Sequence, residues 1–136
     1  MARFMLDTNI CIHIRRKRPA TVLERFGSLE PGDACISTIT FGELRHGAEK
    51  SAQRDRALDL LSELANALPV APIGADVGAV YGSVRADLER RGEVIGNNDL
   101  WIAAHALSLG IVLVTSNDRE FRRIPGLRVE DWAADP

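Results

Sequence analysis

The sequence predicts an α/β fold, a mainly parallel β-sheet covered by helices on both faces. Three observations predict it. Short apolar runs alternate with helix-period segments along the chain. Two runs, at residues 3–7 and 111–115, have unbroken apolar centres, Phe4-Met5-Leu6 and Ile111-Val112-Leu113-Val114, as expected of strands buried on both sides. The stretch 99–109 is apolar nearly all round, which fits a helix packed deep against such a sheet.

The elements follow in order. Residues 3–7, RFMLD, read as a buried strand that ends in a turn at Thr8 and Asn9, leaving Asp7 at its carboxyl end. Two short helices over 8–15 and 19–28 flank the basic run Arg15, Arg16, Lys17, Arg18 and Pro19. The turn Pro31-Gly32-Asp33 leads into a second strand at 34–37. Ile39, Leu44 and Ala48 have helical spacing, and Leu58, Leu61, Leu64, Ala65 and Leu68 mark an amphipathic helix over 53–67. Pro69 and Pro72 bracket a short third strand, and a long helix over 75–91 stops at Gly92. After Gly96-Asn97-Asn98 comes the apolar helix 99–109, stopped by Gly110, and then the strand 111–115. A loop with a short helix fills 116–123, and a last edge strand is expected at 127–130.

A chain of 136 residues, 46% apolar, fits one domain spanning 1–136 with a core that needs no disulfide. No apolar run is long enough to cross a bilayer and the N-terminus opens directly into a strand, so a cytoplasmic protein without membrane contact is expected. Cys11 and Cys35 lie outside any metal or redox spacing and read as small buried residues. The net charge of −2 neither favours nor excludes nucleic acid. With 15 Arg against 2 Lys, the basic side chains are those that suit bidentate phosphate contacts, although biased genomes give the same excess.

Each acid of interest has a bland reading, because each falls where a helix begins. Asp7 can cap the helix at Thr8, Thr40 and Glu43 have capping-box spacing, Asp99 is a first-turn acid, and Asp118 follows Asn117 in the same way. Their conjunction carries more weight. Asp7 and the Asn117-Asp118 pair follow strands while Glu43 and Asp99 open helices, so all face one edge of a parallel sheet. Like charges about 4 Å apart repel by about 4 kcal/mol at an effective dielectric near 20, which a bound cation relieves. Oxygen ligands without cysteine favour Mg²⁺ or Mn²⁺ over Zn²⁺. Such a site, without any other cofactor motif, suits phosphodiester hydrolysis. The histidines fit less well. His105 lies on a different helical face from Asp99, His46 lacks the second ExxH of a di-iron site, and His13 is expected at the surface.

The segments MLDTN at Asp7, STITFGELRHG around Glu43, IGNNDLWIAAHAL around Asp99 and LVTSNDREFRRIPGL after the last core strand resemble, in order and spacing, those of PIN-domain nucleases. The likeness is to the VapC-type toxins of type II toxin–antitoxin pairs and runs over nearly the whole chain. It implies a PIN-like three-layer sandwich, Mg²⁺ or Mn²⁺ held by Asp7, Glu43 and Asp99, and endonucleolytic cleavage of RNA, often structured RNA such as tRNA, to stop translation. It also implies a homodimer and a VapB-type antitoxin, through which alone DNA would be met. The family's fourth acid aligns at Asn117, with Asp118 next to it, and both are kept as catalytic candidates. Asn9, Thr40, Thr115 and Ser116 match polar positions around the site. Arg15, Arg16, Lys17, Arg18, Arg45, Arg119, Arg122 and Arg123 are candidate contacts to the RNA backbone. Two other classes compete: a Mg²⁺-binding phosphoacceptor signalling domain, which normally has a lysine after a late strand, whereas Lys17 and Lys50 lie early, and a catalytically silent RNA-binding module.

Overall fold

The computed structural model describes residues 2–133. Five strands, β1 (Phe4–Leu6), β2 (Ala34–Ser37), β3 (Val70–Ala71), β4 (Val112–Val114) and β5 (Val129–Glu130), form one sheet in the order β3-β2-β1-β4-β5, with every neighbouring pair parallel. The helices of the described residues are α1 (Thr8–Arg16), α2 (Ala20–Gly27), α3 (Thr38–Glu49), α4 (Arg54–Ala67), α5 (Ala75–Arg91), α6 (Asn97–Leu109) and α7 (Asp118–Phe121). None is long and apolar enough to cross a membrane.

Alternation along β1 creates the three layers. Phe4 and Leu6 pack with Ile10 of α1, Val22 of α2, Leu44 of α3 and Leu61 of α4. Met5, pointing the other way, packs with Leu88 of α5, Leu100 and Ile102 of α6 and Phe121 of α7. Both faces of the sheet are thus dry, which is why β1 and β4 carry no polar residue within the strand. The chain winds outward from β1 through β2 to β3, then returns to the opposite side of β1 for β4 and β5. The strand order reverses at β1, so the crevice beyond its carboxyl end is where such sheets bind ligands. Leu6 lies opposite Val114, which brings Asp7 and Thr115, the next residue of each strand, to that crevice.

Local chemistry sets the helix ends. Gly92 and Gly110 adopt left-handed conformations (φ 67° and 69°) that close α5 and α6, as expected from the sequence. The beginning of α3 differs from expectation. The Ser37 hydroxyl accepts from the Ile39 amide at 3.1 Å, so the cap lies at the end of β2 and the Thr40–Glu43 capping box does not form. Glu43 falls in the second turn of α3 and is released for a different contact.

The segment after β5 is tied to the core by Trp132, 1% exposed, which meets Phe4 edge-on at 5.4 Å and donates its indole N–H to Glu130 at 3.1 Å. Trp132→Ala should therefore lower the unfolding free energy in urea by about 3–5 kcal/mol. A loss under about 1 kcal/mol would mean that this segment does not seal the sheet.

Candidate active site

Asp7 ends β1 and begins α1. Its carboxylate accepts from the Ile10 amide at 2.9 Å and caps the helix, so the bland reading of this residue is part of its geometry. It is only 6% exposed, and burial pushes its pKa up to about 6. Hydrogen bonding from Thr115 and Ile10 opposes that shift, while the charge of Asp99 adds to it.

Thr8 donates its hydroxyl to Glu43 Oε1 at 2.6 Å, joining the end of β1 to the second turn of α3. Asp99 is half-buried in the first turn of α6, and its pKa is raised by burial first, then by Glu43 and by Glu120. Glu43 and Glu120 thus act on Asp99 and Asp99 acts on Asp7, whose carboxylate the nearby His13 partly offsets. Among the described residues no Lys, Arg or His forms an ion pair with any of these four carboxylates.

Glu120 is the residue that sequence reasoning missed. It lies three positions after Asn117, whose side-chain amide donates to Glu120 Oε2 at 3.2 Å, and the two share one face at the start of α7. Asp118, the other candidate beside Asn117, accepts from Arg122 at 3.1 Å across one turn, on another face of the same short helix. The signal was present in the i,i+3 spacing of Asn117 and Glu120. Aligning by distance from the strand concealed it.

The other polar candidates divide. Thr115 is fully buried beside Asp7 and accepts from the Asn117 amide at 3.0 Å, shaping the turn into α7. Thr40 is buried, its hydroxyl without a partner among the described residues, and Asn9 and Ser116 are exposed. Thr8, absent from the candidates, makes the contact to Glu43 that Asn9 does not.

Of the basic candidates, three are engaged internally. Arg45 pairs with Glu49 at 2.8 Å, Arg122 with Asp118, and Arg123 donates to the Val94 carbonyl at 3.2 Å. Arg15, Arg16, Lys17, Arg18 and Arg119 are exposed, without an ion-pair partner among the described residues. Arg15 and Lys17 also edge an open cavity of about 250 Å³ between α1, α3 and α4, floored by Ile14, Leu44, Leu61 and Leu64. Among the histidines, His13 is half-buried, not at the surface as expected, His46 is exposed on α3, and His105 is fully buried.

Among the described residues no three His, Cys, Asp or Glu side chains close into a ready-made metal cage. The donor set nevertheless fits a hard cation. Asp7 and Asp99 are both destabilised as anions, Glu43 and Glu120 crowd Asp99, and all the donors are oxygens. Mg²⁺ keeps several of its waters and needs only one or two carboxylates directly, so an open acidic crevice suits it better than a cage. Asp7, Glu43 and Asp99 are the residues that would hold such an ion, with Glu120 beside them.

Comparison with known proteins agrees with this geometry. The PIN domain family model matches residues 4–127. A tRNA(fMet)-specific endonuclease VapC of Shigella flexneri is 45% identical over 133 residues, 98% of this chain and all of that protein. Ribonuclease VapC2 of Haemophilus influenzae is 41% identical over 132 residues, covering 97% of this chain and 99% of the relative. Among solved structures, the DNA-bound VapBC of Salmonella typhimurium superposes with a TM-score of 0.91 at 45% identity, over 97% of this chain and 99% of that one. VapBC-1 of nontypeable Haemophilus influenzae superposes with a TM-score of 0.88 at 39% identity, over 96% and 98%. The crevice at the carboxyl edge of β1 and β4, with its four acids, is carried on a fold shared end to end with these proteins, and the chain belongs to the PIN-domain family, among the VapC-type ribonucleases.

Proposed function

We propose that this protein is the toxin of a VapBC-type pair, an Mg²⁺- or Mn²⁺-dependent endoribonuclease that cleaves structured RNA and so stops translation. The observation that carries the reading is a run of like charges, Glu43 and Glu120 on Asp99 and Asp99 on Asp7, without an ion-pair partner among the described residues. The relatives named tRNA(fMet)-specific endonucleases make initiator tRNA the first substrate to test. The similarity to the VapBC structures of Salmonella typhimurium and nontypeable Haemophilus influenzae supports an antitoxin as partner. The cavity beside α1, α3 and α4 suits apolar side chains of a partner segment, and Arg15 and Lys17, set against the single acid Glu63 of its lining, suit acidic ones. A homodimer accords with the family.

The bound ion would neutralise charge on the scissile phosphate and make water a better nucleophile. The chain's own residues do the rest. Asp7, Glu43 and Asp99 would hold that ion, and their placement decides where the phosphate can sit. Glu120, with Oε2 held by Asn117, keeps Oε1 free to accept a proton from the attacking water. The oxygen of the attacking water bonds to phosphorus as the bond from phosphorus to the 3′ oxygen breaks, and the leaving oxygen takes its proton from solvent water, giving 5′-phosphate and 3′-hydroxyl ends. Arg15, Arg16, Lys17, Arg18 and Arg119 provide contacts to neighbouring phosphates.

Purified protein free of antitoxin should cut tRNA with Mg²⁺ and not with EDTA, and Asp7→Asn or Asp99→Asn should lower the rate by about 100-fold or more. Sequencing the ends checks the chemistry. Cleavage that survives both substitutions and EDTA, or ends carrying 2′,3′-cyclic phosphate, would overturn the proposal.

Glu120 and Asp118 separate in the same assay. Glu120→Gln should slow cleavage by about 10- to 100-fold, while Asp118→Asn should stay within about threefold of wild type. The reverse ranking would place the fourth acid at Asp118 after all.

Asp7 also gives a pH signature. Its folded pKa of about 6 exceeds the ordinary carboxyl value of 3.8, so its protonated form stabilises the fold below 3.8 and that contribution disappears as pH rises through about 6. Without divalent ions, Asp7→Asn should be more stable than wild type at pH 8 by about 1–3 kcal/mol, and no more stable at pH 3.5. Mg²⁺ should narrow the gap at pH 8 by stabilising the wild type alone, which differential scanning calorimetry reads directly.

A further inference from the structure

His105 takes no part in the chemistry described above, yet it is a fully buried imidazole on the helix that carries Asp99. Its Nδ1 lies 2.8 Å from Ser37 Oγ, a contact across 68 residues of sequence. Ser37 is itself fully buried, ends β2 and caps α3. The contact therefore links two helices, each carrying one acid of the site: His105 is six residues beyond Asp99 on α6, and Glu43 is six residues beyond Ser37 on α3. Each interval is about 9 Å along a helix axis, so a small tilt at the contact is transmitted to the acids.

We infer that His105 is a positioning residue for the acidic site, fixing α3 against α6 through Ser37 so that Glu43 and Asp99 keep their spacing. The protons are assigned by what Ser37 already does. Its Oγ accepts from the Ile39 amide, so its own proton is free to go to His105 Nδ1. The imidazole proton then sits on Nε2, which has no well-aligned partner, while the Pro72 carbonyl is close enough to favour a proton on the ring. Burial disfavours the imidazolium, consistent with a neutral ring. A leucine of similar volume fills the space but cannot take the serine proton, whereas an asparagine amide can reproduce the Nδ1 contact. Hydrophobic packing alone permits sliding along the α3–α6 interface; a directional bond between two buried groups does not.

This inference rests on the metal-nuclease reading, and the test separates the two. Wild type is first titrated with Mn²⁺ by calorimetry: failure to bind would overturn that reading and the brace with it. His105→Leu and Ser37→Ala should then each weaken Mn²⁺ binding and lower kcat for tRNA cleavage by about 10- to 100-fold, with KM nearly unchanged. The double variant should be no worse than Ser37→Ala, which removes the shared bond together with the α3 cap. His105→Asn should recover most of the loss, and ¹⁵N spectra of histidine-labelled wild type should show the Nε2–H tautomer. Ser37→Ala keeps the test decisive if His105→Leu fails to fold. Wild-type Mn²⁺ affinity and kcat in folded Ser37→Ala, multiplicative losses in the double variant, or an Nδ1–H tautomer would each overturn the inference.

Discussion

Like-charge crowding around one carboxylate is the constraint on which the rest of the structure turns. Asp99 sits half-buried with Glu43 and Glu120 acting on it while it acts on Asp7, and burial and repulsion push its pKa upward. Like charges brought to about 4 Å repel by about 4 kcal/mol at an effective dielectric near 20, so closing this crevice further without a cation would consume a large fraction of the stability of an ordinary domain. A fold that keeps such a cluster must restrain every member, since side chains free to move would simply splay apart.

The restraints are visible one by one. Asp7 is tied down by the Ile10 amide, Glu43 by Thr8, and Glu120 by Asn117, each at hydrogen-bond distance. Behind them is a sheet with two dry faces, in which Phe4 and Leu6 serve one core and Met5 the other. Such a sheet cannot slip by one residue without turning a core side chain into the wrong layer. The rigidity of β1 is therefore what fixes Asp7, and the parallel register with β4 is what brings Thr115 alongside it.

Much of this was legible in the sequence for physical reasons. Buried parallel strands leave continuous apolar runs, glycine marks the left-handed helix ends at Gly92 and Gly110, and acids that follow strands or open helices must gather at one sheet edge. What was not legible depended on direction, not order. Asp118 and Glu120 both follow β4 within six residues, and only the turn of α7 decides which faces Asp99 and which faces Arg122. The capping of α3 is similar: Ser37 and Thr40 are equally good caps by type, and the choice between them follows from where β2 ends, which is a tertiary fact.

Charge segregation along α1 connects this scaffold to the proposed activity. The helix begins at the acid Asp7 and ends in Arg15 and Arg16, with Lys17 and Arg18 just beyond, a span of about 13 Å. Cations close to the acids would neutralise them internally and leave no place for a metal. Cations held at the far end cannot do so, yet still attract a polyanion toward the crevice. Arg15 and Lys17 also border the apolar cavity against α3 and α4, so on the proposed reading RNA and an acidic antitoxin segment would draw on the same charges. Two ligands that need the same cations exclude each other without any change in the fold, and inhibition then requires only that the partner bind there more tightly than RNA does.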